Sequence, residues 1–461
     1  MIPVEKIAGG TLGNLLYYVA IIGVLLVICT IIRLKVSFLR KAFIPASLLA
    51  GILGMILGPH ILGVIPADMM SSIGAIPSHM ITVVFACMML GVKKTEDAST
   101  MMHDTVSGLG WLWSCSFMQV GVACLLCAVL FTPVWGVNEL FGSLFEIGFA
   151  GGHGTAGGMA SVFTDTFNWA DGADLGKTTA TIGLLIGIFG GMAIINVAVR
   201  KKWTKVLTEP ASGNAAKEVY GEKDAEHEAS AYMTVSQDVV EPFAFHLGII
   251  GIAILIGRLI VWGFGQVFGY SGLPLFPFAM IGGWIINAIA QRVPLLRDLF
   301  DRKTFQRIQG MALEILVTCA MASISIPVVL AYWKPLLIGS IVITALMLVW
   351  TLWLSPRIFN DCWFEQAIIR YGAFCGVAAV GYMLLRCADP KMETDAGTIY
   401  ALDGPFMSPF IGGGLVTSMW PFLITSMGAM KFGLVACAIS LAILLVLRLF
   451  FWNKNFKMQQ R

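Results

Sequence analysis

The sequence predicts an all-α integral membrane protein built as an inverted-topology repeat. Each half has five transmembrane helices and one re-entrant hairpin, and an additional transmembrane helix follows at the C-terminus. Three observations carry this reading. Apolar runs of about 20 residues, each able to cross a ~30 Å hydrocarbon core, recur along almost the whole chain. Basic residues gather in alternate loops. Two glycine-rich segments, 141–165 and 364–388, interrupt the pattern at corresponding places in the two halves. The composition agrees: 57% of residues are hydrophobic and 12% are charged, where a soluble domain has about a quarter charged. That balance excludes a soluble globular protein. The net charge of +3 gives no sign of a nucleic-acid partner.

Taken in order, the spans fall near 13–32, 44–62, 75–92, 108–131, 175–199, 243–264, 275–291, 308–331, 333–354, 405–427 and 431–452. The first run, GNLLYYVAIIGVLLVICTII, is too long for a signal-peptide core, and its positive charges follow it. It reads as a retained span. The ten cysteines lie mostly in or beside apolar runs. Cys124 and Cys127 have C-x-x-C spacing, but no second pair or nearby histidine completes a zinc site. Buried thiols are expected.

Orientation follows from the loops. Arg33, Lys35, Arg40 and Lys41 occupy one loop, Lys93 and Lys94 the next but one, and Arg200, Lys201, Lys202, Lys205, Lys217 and Lys223 the central polar stretch. Arg292, Arg297, Arg302, Lys303 and Arg307 fill a further loop, while the alternate loops are nearly bare. The N-terminus is therefore expected outside and the C-terminus, WNKNFKMQQR, inside. This alternation closes only if 141–165 dips in from outside and 364–388 from the cytoplasm, each leaving on the side it entered.

The halves also repeat. Pro45 and Pro277 are each followed six residues later by glycine, Gly51 and Gly283, and forty-two residues later by cysteine, Cys87 and Cys319. Gly148, Gly152 and Gly157 share their spacing with Gly372, Gly376 and Gly381. The expected organisation is a first repeat over 1–199, a cytoplasmic linker over 200–238, an inverted second repeat over 239–430, and an extra span with its tail over 431–461. An inverted repeat points to a secondary transporter with its site near the midplane.

The stretch GFAGGHGTAGGMAS, residues 148–161, holds six glycines in fourteen positions. A broken helix frees backbone N–H groups at the start of its second half and carbonyls at the end of its first. Two such tips would suit a small anion and a co-transported cation. The alternative is close helix packing through small residues. GGHGT resembles the first hairpin of the bacterial sodium/glutamate symporters, the ESS family. YGAFCGVAAVG, 371–381, is similar to that family's second glycine-rich segment, keeping its Cys-Gly pair at Cys375 and Gly376. It departs from the family at Phe374 and at Tyr382-Met383. The span order and central loop resemble the family over residues 13–427. The resemblance implies a homodimer in the bacterial cytoplasmic membrane, with a scaffold and a mobile domain. It implies Na⁺-coupled, elevator-type transport of glutamate or a related acidic amino acid.

The candidate substrate-binding residues are Gly152, His153, Gly154, Thr155, Cys375, Gly376, Arg386 and Asp389. His153 has three roles open: substrate contact, proton carrier, or hydrogen bond to the facing backbone. Arg386 suits a carboxylate, or it pairs with Asp389 three residues on. Candidate Na⁺ oxygen donors are Thr155, Ser161, Asn196 and Asn287. Glu314, about two turns beyond Arg307, is expected in an interfacial ion pair. Two alternatives stand beside the glutamate reading: the same fold carrying another small carboxylate or amino acid, and a membrane-embedded enzyme using His153 with an acid such as Asp165. No H-E-x-x-H or G-x-S-x-G motif supports the enzyme.

Overall fold

The computed structural model describes residues 9–41, 44–92, 102–207, 231–236, 238–268, 273–389, 393–407 and 409–452. Lys93, Lys94, Lys217, Lys223 and the tail from residue 453 lie outside them. Every regular element among the described residues is helical, and eight helices are long and apolar enough to cross a membrane.

In chain order, α1 is Gly9–Lys35, α2 Ala46–Leu57 and α3 Ala67–Met88. α4, Met102–Leu126, runs on through the π-helical Cys127–Phe131 to Trp135. α5, Leu144–Phe149, and α6, Gly152–Gly158, flank a break. α7, Asp171–Leu185, joins α8, Gly191–Arg200, through the π-helical Ile186–Gly190. The second half gives α9 Pro242–Phe268, α10 Leu275–Ala290, α11 Arg302–Ala322, α12 Trp333–Val349 and α13 Trp363–Ala388. Last come α14 Ala396–Met407, α15 Leu415–Met427 and α16 Ala429–Phe450.

Three expected spans differ in extent. The 44–62 run is helical only over α2, whose 12 residues reach about 18 Å. The 308–331 run stops at Ala322, and a separate short helix begins at Ile326, because Pro327 has no N–H with which to continue the ladder. The 405–427 run is broken at 409–414, where Gly412 and Gly413 take φ of 65° and 105°. Side chains of L residues rarely adopt those angles, so the glycines make this break.

The chain divides into two compact units. The first holds Met1–Lys94, Gly157–Ala173 and Ala215–Ser325, the second Thr95–Ala156, Asp174–Asn214 and Ile326–Arg461. Each half of the sequence thus supplies its first three helices of this numbering to the first unit and most later elements to the second, Gly157–Ala173 excepted.

In the first unit, Gly51 on α2 brings its backbone against Met321 and the Thr318 carbonyl of α11, and Gly283 on α10 brings its own against the Ala86 carbonyl of α3. The offset relating Gly51 to Gly283 also relates Ala86 to Thr318, so the two contacts are reciprocal. Small residues permit such close approach where apolar packing, not water exclusion, joins helices. Around them Leu90, Ile250, Ala253, Phe305 and Ile308 form a buried core. Buried His246 accepts from the Asp301 N–H at 3.0 Å on Nε2, so Nδ1 carries the proton and donates to the Pro242 carbonyl at 2.7 Å.

In the second unit, α4 is the central strut. Trp111 Nε1 donates to the Trp350 carbonyl and to Ser355 Oγ, and Trp350 Nε1 returns a bond to Ser114 Oγ at 3.0 Å. The extra C-terminal helix α16 lies along α4: Ser440 Oγ donates to the Ser114 carbonyl at 2.6 Å, and Gly433 faces the Gly121 carbonyl. All ten cysteines are free thiols, nine of them buried.

Candidate functional site

The direction of the chain around the glycine breaks can be read from α7. Leu144 on α5 accepts from Thr179 Oγ1 at 2.9 Å, Gly148 lies against Thr179 and Ala180, and Phe149 lies against Gly183. α5 therefore runs parallel to α7. On α6 the order is reversed: His153 meets Thr181 and Ala156 meets Gly176. The chain turns back on itself between Phe149 and Gly152, where Gly152 takes φ +67°.

α13 turns in the same way. Its helical path is broken at Gly376 (φ −142°, ψ 36°) and Val377 (φ 64°, ψ 168°). Beyond the break, Gly381 packs on Gly372 and on the Ile369 carbonyl, so two antiparallel arms touch backbone to backbone. The two turns meet. A methyl group built on Gly152 would collide with Val377 Cγ1. α7 and the bulge after it pass both turns: Thr181 holds His153 Nε2 at 2.9 Å, Gly183 faces the Cys375 carbonyl, and Gly187 lies beside Cys375 and the Gly376 N–H.

The structure brings Gly152, His153, Gly154, Thr155, Cys375 and Gly376 into this one neighbourhood. His153 and Thr155 are buried, and Thr155 Oγ1 donates back to the Gly151 carbonyl at 3.0 Å. Arg386 and Asp389 are not part of it. Arg386 is exposed, while buried Asp389 accepts from the Glu393 and Thr394 N–H groups and from Thr394 Oγ1, so of the two roles left open for Arg386 the pairing with Asp389 does not form. Three of the candidate Na⁺ donors are exposed or committed to other partners. Ser161 is exposed, Asn196 Nδ2 donates within its own helix to Met192, and Asn287 spends both ends on Gly91 N–H and the Val92 carbonyl. The Asn287 amide thereby closes the end of α3, while that of Asn196 stays within α8. Glu314 is exposed, with no ion pair among the described residues. Among those residues no group of three or more His, Cys, Asp or Glu side chains is placed to hold a metal.

Four buried charges near the turns are absent from the sequence reading. Lys177, one turn before Thr181, is 4% exposed, with Nζ 3.5 Å from Asp174 Oδ1. Glu146 on α5 is fully buried and fully bonded. Its Oε1 accepts from Ser116 Oγ, Thr417 Oγ1 and the Gly412 N–H, and its Oε2 from Trp420 Nε1 at 2.9 Å. It thereby ties the 409–414 break to α5, as unpaired backbone away from water requires.

Arg370, on the first arm of α13, forms a fully buried ion pair with Asp403 of α14. Its guanidinium also donates to the Gln366 carbonyl at 3.0 Å and covers the Phe359 ring at 4.7 Å. Gln366 Nε2 donates to Asp104 Oδ2 at 2.7 Å, Gly108 leaves room for the ion pair, and Trp111 meets Phe374 edge-on at 5.8 Å. These contacts climb together, so α4 and the first arm run parallel. Arg370 Nε and Asp403 Oδ1 have no partner among the described residues. The signal for these charges was present: an ionisable residue inside an apolar run is a functional candidate by default, and Glu146 and Arg370 both lie within the glycine-rich segments.

A search of curated proteins found no match. The family description "Sodium/glutamate symporter" matches residues 13–380, which takes in both turns, α7 and the buried Glu146 and Arg370. By that match the chain belongs to the sodium/glutamate symporter family.

Proposed function

We propose that the protein is a secondary active transporter that moves glutamate, or a related acidic amino acid, together with Na⁺ by an elevator-type alternating-access cycle. Membership of the family suggests Na⁺-coupled glutamate symport and a transporter, not an enzyme. The observation that carries the reading further is the meeting of Gly152 with Val377, with α7 running past both turns. That arrangement supplies one place where the backbone of two broken helices and the side chain of His153 come together, with Thr155 just past the first turn and the buried Lys177 one turn of α7 before Thr181. Helix N-termini and a buried ammonium group suit a carboxylate, and carbonyl ends suit a cation.

On this reading the two turns are the tips of re-entrant hairpins, 141–165 from outside and 364–388 from the cytoplasm. The reciprocal contacts of Gly51 and Gly283 support an inverted repeat, and the division of each half between two compact units supports one unit moving against the other. The protein is then a homodimer in the bacterial cytoplasmic membrane, with its N-terminus outside. The test is uptake of labelled L-glutamate into proteoliposomes holding the purified protein, with and without an inward Na⁺ gradient. Uptake that rises with the gradient, and that unlabelled aspartate competes away, is the expected result. Competition by a hydroxycarboxylate or neutral amino acid alone transfers the reading to that solute. No Na⁺-dependent uptake of any of these ends it.

A further inference from the structure

A cleft of about 570 Å³ lies between the α7–α8 segment, α12 with the π-helical Trp350–Leu354 that extends it, and the first arm of α13. Its walls are hydrocarbon, chiefly Phe189, Ala193, Val197 and Leu348. The two hydroxyl groups that reach it are already committed: Tyr371 donates to the Ile186 carbonyl at 3.2 Å, and Thr344 to the Ser340 carbonyl at 2.6 Å. With both protons spent, a polar solute would find no free hydroxyl donor there. Phe189 and Val197 are nearly half exposed, so the cleft is open along its side.

One end of the cleft is different. Trp203 lines it there, and Lys201 Nζ sits 5.0 Å from the Trp203 ring centre. Arg200, Lys201 and Lys202 are all exposed, and no ion pair engages them among the described residues. Lys205 differs: its ammonium is held by Asp361 at 2.6 Å. A tryptophan with exposed cations at the end of an apolar channel is the arrangement expected at a membrane surface, where aromatic rings settle and basic side chains draw anionic headgroups.

We propose that the second unit binds one anionic glycerophospholipid, an acyl chain in the cleft and the phosphate at Arg200, Lys201 and Lys202. The occupant must carry both a long apolar chain and a negative head, and the charge of the mouth selects against a zwitterionic lipid. The floor of the cleft is Tyr371 and the Ile186–Gly190 bulge, so the lipid presses on the same α7–α13 packing that positions Cys375 and Gly376.

Native mass spectrometry of the full-length protein, titrated with phosphatidylglycerol and phosphatidylcholine of equal chain length, tests this. The expected result is one phosphatidylglycerol per protomer, retained at least about fivefold better than phosphatidylcholine. Lys201→Glu with Lys202→Glu should abolish the preference while leaving weak binding of both lipids. Ala193→Trp should fill the cleft and remove both, and Ala193→Leu provides a milder form should the larger residue lower thermal stability. Equal retention of the two lipids by the unaltered protein overturns the proposal. So does undiminished phosphatidylglycerol binding in both Ala193 variants, or occupancy of the cleft by a second copy, seen as lipid binding that falls with protomer concentration.

Discussion

A side chain at Gly152 would meet two obstacles at once. Its φ of +67° is a conformation that costs an L residue about 1–3 kcal/mol, and its Cβ would run into Val377 Cγ1. Gly152→Val should therefore reduce Na⁺-driven uptake by at least about tenfold, a factor that needs only about 1.4 kcal/mol, while the protein still elutes as a folded species. Adding Val377→Ala removes the collision but not the backbone cost, so a partial return of uptake is expected. Normal uptake by Gly152→Val alone would mean that the contact between the turns has no role. Val377 itself is a β-branched residue at φ 64°, where such residues are outliers. Composition marked Gly152 and Gly376 in the sequence, because glycine clusters stand out in an apolar chain. It did not mark Val377, whose unusual backbone leaves no trace in residue type.

At the scale of single elements, two polar ties hold helices that apolar packing alone would leave free to slide. The buried Arg370–Asp403 pair fixes the first arm of α13 against α14. Removing one partner strands the other charge, at a cost of about 3–5 kcal/mol, so Arg370→Ala should depress thermal stability and yield sharply. Arg370→Leu combined with Asp403→Leu should recover most of that stability, since an apolar pair often replaces a buried ion pair without loss. If the double variant is stable but inactive, the charges serve transport; if it transports normally, they serve only assembly.

The second tie is Asp301, which accepts from the Tyr232, Lys303 and Thr304 N–H groups and from Thr304 Oγ1. Burial opposes its ionisation, but these hydrogen bonds outweigh burial and hold its carboxyl below the usual range. A depressed folded-state pKa contributes stability above the unfolded value of about 3.9, lost as pH falls through the folded value. Asp301→Asn should thus be less stable than the unaltered protein near neutral pH. The gap should narrow as acid protonates Asp301, which thermal unfolding in detergent over a pH series will show. The sequence located these helices well, because long apolar runs are hard to misread. It missed the interruptions at Ser323 and at 409–414, since neither breaks the run of apolar residues.

Across the whole molecule, the arrangement makes a statement about sides. If both glycine-rich segments re-enter, the two ends of each open on one side, and the two segments open on opposite sides. The native thiols interfere little with a labelling test, because nine of the ten are buried and only Cys437 is partly exposed. Cysteines placed at Val134 and Asn168 flank the first segment, and at Asp361 and Asp395 the second; all four positions are exposed. With a membrane-impermeant maleimide added to intact cells, Val134→Cys and Asn168→Cys should both label, and Asp361→Cys and Asp395→Cys should label only after the membrane is opened. Labelling of Val134→Cys without Asn168→Cys would turn the first segment into a crossing span. The basic loops at 33–41 and 292–307 would then fall on opposite sides, against the charge asymmetry that orients polytopic proteins. The same-sided result keeps every basic loop inside and leaves both broken helices free to meet at Gly152 and Val377 from opposite faces of the membrane.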